Sequence, residues 1–130
     1  MPLGGIVNLD YTVLLCRDMA AMRAFYAEVM GFAIETDREH WVSFRIGAVL
    51  LTLRPRAAWS VCDDGPMPEG SAAVQLCFRV PPPAVDECHA VLRDKGVPIL
   101  REPTDLPDWG HRTLFFRDPE GNILEIYAEI

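Results

Sequence analysis

The sequence predicts an α+β fold made of two β-α-β-β-β halves, and three observations carry that expectation. Apolar runs of strand length alternate with amphipathic stretches of helical period. The order strand, helix, three strands occurs twice, with Gly31 and Gly96, 65 positions apart, closing the two helices. A stretch rich in proline and glycine separates the repeats. The halves span about residues 8–54 and 72–130, with a connector over 55–71, and the 130 residues suffice for one domain with its own core.

Each element has a local basis. Leu9 to Cys16 is apolar or β-favouring, as a buried strand requires, and Asp18 stands where a helix N-cap is needed. From Met19 to Met30, Met22, Phe25, Tyr26 and Val29 recur at i, i+3, i+4 and i+7, which gives the helix one apolar face. Gly31 then supplies the left-handed residue that ends it. Three short strands follow, Phe32 to Thr36, Trp41 to Ile46 and Ala48 to Leu53, with Gly47 turning the last two into a hairpin. Pro55, Pro66, Pro68, Gly65 and Gly70 mark the connector, where Trp59 and Val61 are apolar candidates for an interface or a lid.

The second half repeats the pattern. Val74 to Val80 is a strand, Pro81 to Pro83 open a helix that runs to about Lys95, and Gly96 caps it. Strands are expected at Ile99 to Arg101, Arg112 to Phe116 and Ile123 to Ala128, the last two joined by the turn Asp118-Pro119-Glu120-Gly121-Asn122. Pairing Tyr11 with Gln75 gives an offset of 64, and pairing Leu51 with Glu125 gives 74. The additional residues of the second half are therefore assigned to a loop over Pro103 to His111.

Half of the residues are hydrophobic and 24% are charged, which fits a globular chain. The net charge of −7 repels phosphate backbones and anionic headgroups, so neither nucleic acid nor a membrane surface is expected as a partner. Cys16, Cys62, Cys77 and Cys88 form no C-x-x-C pair and read as reduced core residues. No stretch approaches eighteen apolar residues and no signal-peptide pattern opens the chain, so a cytoplasmic location is the default expectation.

Phe25-Tyr26 followed by Met30-Gly31-Phe32, and later Phe116-Arg117-Asp118-Pro119-Glu120-Gly121-Asn122-Ile123-Leu124-Glu125, resemble two signatures of the vicinal-oxygen-chelate superfamily. That superfamily includes glyoxalases, extradiol dioxygenases, fosfomycin-resistance enzymes and bleomycin-binding proteins, and the likeness spans about Asn8 to Ala128. It implies a curled mixed sheet around a cleft, with the helices on the outer face. It further implies that Tyr11, Leu51, Gln75 and Glu125 occupy four inward positions, where the superfamily's enzymes hold a divalent metal as a Lewis acid. Glu125 is a strong ligand for a hard cation and Gln75 a weak neutral one; Leu51 cannot coordinate, and Tyr11 ionises only at about pH 10. The resulting expectation is a site without metal or cofactor, the alternative being a divalent ion on Gln75 and Glu125.

Three further residues are ligand candidates. Val42, Phe44 and Ile46 form one apolar strand face, which leaves Arg45 on the other, able to meet a ligand carboxylate or Glu125, or simply to reach solvent. Trp109 with Gly110 is similar to a Trp-Gly pair in antibiotic-binding members, where the indole would stack on a planar ligand or close one end of the core. His111 follows in a position to line the cleft mouth, whereas His40 and His89 read as turn and helix-surface residues.

The function expected from this set is a small-molecule-binding protein of the glyoxalase/bleomycin-resistance type that sequesters an organic ligand. One alternative is a lyase, isomerase or dioxygenase of the same superfamily, with a non-standard metal set or with Glu125 as general base and Tyr11 as acid. Another is a non-catalytic scaffold. A homodimer is expected in all three.

Overall fold

The structure is a computed structural model that describes residues 3–57, 63–67 and 69–130. Trp59, Val61 and Cys62 lie outside the described residues. The chain divides into two compact units, Met1–Cys62 and Asp63–Ile130. Both have the same plan, a four-stranded mixed sheet with a helix packed against it.

In the first unit the elements are β1 (Tyr11–Cys16), α1 (Met19–Ala24), β2 (Ala33–Arg38), β3 (Trp41–Ile46) and β4 (Val49–Pro55). They form a sheet of order β1-β4-β3-β2 in which only the β1–β4 pair is parallel. Asp18 caps α1 as its position requires, its carboxylate accepting from the Ala21 amide at 3.0 Å. Beyond Ala24 the helix widens into a π turn over Phe25–Val29, where the Met30 amide donates to the Phe25 carbonyl five residues back. Phe25 and Tyr26 are both buried there, and the Tyr26 ring lies between those of Phe32 and Phe44, with centroids 6.2 and 6.1 Å away. Phe44 thus marks the sheet face that meets the helix, shared with Val42, Leu53 and Leu14. Burying each such side chain is worth about 1.5–3 kcal/mol.

The second unit has β5 (Gln75–Arg79), α2 (Ala84–Asp94), β6 (Ile99–Leu106), β7 (His111–Arg117) and β8 (Ile123–Glu129), in the order β5-β8-β7-β6 with β5 parallel to β8. Asp86 and Glu87 occupy the first turn of α2, where acidic groups favour the helix dipole. At the other end the Val97 amide bonds to the Leu92 carbonyl and the Gly96 amide to that of Arg93, both at 3.0 Å, with Gly96 at φ 76°. This is a Schellman ending, and it needs a residue that tolerates the left-handed region. Val85 and Leu92 of α2 share the core with Leu114, Phe116, Leu124, Ile126 and Ala128.

One expected loop is largely strand. β6 continues through Pro103 to Leu106, with register shifts between Ile99 and Arg101 and between Arg101 and Thr104, so that only Pro107–Gly110 remains as a turn. A proline lacks the ladder donor, and an edge strand with bulges is where a sheet accepts one. Among the described residues no helix is long and apolar enough to cross a membrane.

Candidate functional site in the second unit

β8 carries the central residue of the site. Leu124, Ile126 and Ala128 are buried in the core beneath α2, and the two-residue period of a strand turns Glu125 to the opposite face. The register sets Glu125 between Cys77 of β5 and Phe115 of β7. That register is fixed by the turn between β7 and β8. There Asp118 Oδ1 accepts from the amides of Glu120 and Asn122, Asp118 Oδ2 accepts from Asn122 Nδ2 at 2.8 Å, and Gly121 takes φ 90°.

Glu125 is 9% exposed, and both of its oxygens are engaged. Oε2 accepts from Thr113 Oγ1 at 2.7 Å, and Oε1 accepts from Gln75 Nε2 at 3.2 Å and from Cys77 Sγ at 3.0 Å. All three donors are uncharged, and among the described residues Glu125 has no cationic partner. Partial burial pushes the Cys77 thiol up from its ordinary pKa, and the bond to Glu125 adds to the rise. The thiol therefore keeps its proton at neutral pH.

Above the carboxylate lies a depression of about 380 Å³ lined by Gln75, Leu106, Trp109, His111, Phe115 and Glu125. Trp109 is 74% exposed at its rim, and His111 stacks on Tyr127 with ring centroids 4.4 Å apart. Arg112, one residue after His111, bonds Asp86 of α2 at 2.8 Å and Asp105 of β6 at 2.9 Å. These bonds raise the guanidinium pKa and lower that of Asp86. By tying β6 to β7 they keep Leu106 opposite His111 at the rim.

Gln75, Trp109, His111 and Glu125 thus line one depression. Cys77, Thr113 and Phe115 belong to the same face and were not anticipated. Cys77 is exposed on β5 rather than buried in the core, because Leu76 and Phe78 on either side of it take the apolar face. Alternation alone carried the signal: Gln75 and Arg79 flank Cys77 at two-residue spacing, as His111 and Phe115 flank Thr113.

The remaining candidates belong to the first unit. Tyr11 is exposed at the start of β1, its ring edge-on to Trp41 at 6.3 Å. Arg45 pairs with Glu35 of β2, Nη2 to Oε1 at 2.9 Å, so its charge is answered within its own sheet. Leu51 does not share the face of Tyr11. It is 4% exposed and lies opposite Thr12 and Phe44, on the side that meets the helix, whereas Tyr11 pairs with Leu50. The corresponding sheet registers make Thr52 the counterpart of Glu125, since Tyr11 and Gln75 begin equivalent strands. Thr52 meets the Ser43 hydroxyl at 2.9 Å, so the first unit closes this position with two neutral groups. Among the described residues no three His, Cys, Asp or Glu side chains gather as a metal centre would need.

A model of the Glyoxalase/Bleomycin resistance protein/Dioxygenase superfamily matches residues 8–126. The chain is 29% identical over 119 residues to the uncharacterized protein YraH of Bacillus subtilis (strain 168), a match covering 88% of this chain and 92% of YraH. A solved structure of a glyoxalase/bleomycin resistance protein/dioxygenase from Nocardioides aligns with a TM-score of 0.83 at 20% identity, over 96% of this chain and 85% of that one. A lactoylglutathione lyase from Agrobacterium tumefaciens aligns with a TM-score of 0.74 at 26% identity, over 93% of this chain and 92% of that one.

Proposed function

The chain belongs to the Glyoxalase/Bleomycin resistance protein/Dioxygenase superfamily, and we propose that it binds a small organic molecule, without a metal ion, in the pocket floored by Glu125. The observation that carries this reading is a carboxylate 9% exposed at the base of a depression of about 380 Å³, held by uncharged donors alone. A carboxylate kept only for structure would be expected to find a cation, because burying an acidic group without one is costly. An apolar, aromatic-rimmed hollow with a few directed polar groups is the usual construction of a small-molecule site.

The donors around Glu125 do not fit a divalent ion. Gln75 and Thr113 are neutral and weak as ligands, and among the described residues no three His, Cys, Asp or Glu side chains gather around the carboxylate. Thr113 orients Glu125 equally well for service as a general base on a ligand that carries an acidic proton, which is the catalytic variant of the same reading. The protein acts on this view as a cytoplasmic homodimer.

A thermal-shift screen of a broad set of organic compounds tests the proposal. Some compounds should stabilise the wild type and lose most of that effect with Glu125→Ala. A screen without a single stabiliser, or stabilisers indifferent to the substitution, would sink it.

A further inference from the structure

We infer that the ligand of this pocket is an organic monocation with a flat, apolar body. The inference rests on the binding role proposed for Glu125 and adds the chemical class of the ligand.

Three independent features point to a positive charge. First, Glu125 is buried at the pocket floor with hydrogen-bond donors but, among the described residues, no cation. Its two oxygens offer about four acceptor positions, and three are taken, two on Oε1 and one on Oε2. An ammonium or amidinium therefore finds a lone pair on Oε2 and an uncompensated charge beside it. An anionic ligand would meet that charge with no lysine or arginine among the described lining residues to offset it, His111 being the one basic side chain there.

Second, the net charge of the chain is not spread evenly. Residues 1–62 carry six acidic and six basic side chains, whereas residues 63–130 carry thirteen acidic and six basic, so the whole net charge of −7 belongs to the unit that holds Glu125. That net charge lies in the unit as a whole, and its long-range field draws cations rather than anions towards it.

Third, the rim is aromatic. Trp109 is largely exposed and Phe115 is half-buried on the strand beside Glu125, so both put at the pocket an aromatic ring, the kind of group that attracts a cation. The same rings, with Leu106, require the rest of the ligand to be flat and apolar if it is to displace water from the hollow.

Three isosteres that differ in charge test the class: 2-naphthamidine as the cation, 2-naphthamide as the neutral form and 2-naphthoate as the anion. Their binding to the full chain is measured by calorimetry at low and at high salt, and again with Glu125→Gln. The amidine should bind at least about tenfold more tightly than the amide at low salt, the naphthoate should not bind, and the advantage should shrink as salt rises. Glu125→Gln should abolish the advantage while leaving the amide bound. If that variant does not fold, the salt dependence in the wild type still decides. Equal binding of amidine and amide, or tighter binding of the naphthoate, overturns the cationic class yet leaves the pocket standing. Failure of all three while neutral compounds stabilise the protein in the broad screen overturns it as well.

Discussion

At Cys77 partial burial, helped by a neighbour on the adjoining strand, sets the chemistry of a side chain that solvent can still reach. Partial burial and the Glu125 carboxylate, 3.0 Å from Sγ, both oppose a second negative charge, so the thiol titrates above the usual range. Alkylation by iodoacetamide, followed by mass spectrometry of the Cys77 peptide, should therefore gain speed at a higher pH than an ordinary thiol does. Glu125→Gln removes the charge and should raise the rate at pH 8 several-fold; an unchanged or slower rate would contradict the coupling. Sequence reasoning placed Cys77 in the core because Leu76 and Phe78 dominate its surroundings, although its period-two partners are Gln75 and Arg79. Leu51 failed in the mirror-image way. Its pairing with Glu125 at an offset of 74 nominated it, and a slip of one residue moves a side chain to the other face of a sheet, where the pairing with β1 and β3 identifies Thr52.

The helices and strands were more legible than the side chains they carry, because apolar period and turn residues are written locally. Both helix endings fell at the expected glycines, and Gly96 at φ 76° has open space where a Cβ would stand. The cost of Gly96→Ala is then the backbone penalty alone, about 1–2 kcal/mol, measurable by urea denaturation; a variant as stable as the wild type would show that α2 does not need its left-handed ending. Two features had no local signature. The π turn after Ala24 arises where Phe25 and Tyr26 must both enter the core, and β6 extends through Pro103 because an edge strand tolerates bulges and a missing donor. Both depend on tertiary packing, which no short window of sequence contains.

At the scale of the whole molecule, the repeat and the family were readable from end to end, whereas partners were not, since interfaces leave little mark on periodicity. Leu3, Ile6, Val7 and Leu9 are each at least 72% exposed ahead of β1, an apolar run that a second chain would cover. Sedimentation equilibrium should accordingly give twice the chain mass of 14.6 kDa, and a single-chain mass at micromolar concentration would remove the homodimer.

The donors to Glu125 come from both flanking strands, Gln75 and Cys77 on β5 and Thr113 on β7, so the group proposed to meet a ligand also pins three strands together. On the proposed reading, recognition and fold maintenance are vested in one side chain. A lone apolar replacement at 125 strands hydrogen-bond donors on both sides of β8, so the pocket floor can turn apolar only when several positions change in concert. Its evolution is expected to proceed by jumps between self-consistent sets rather than by drift.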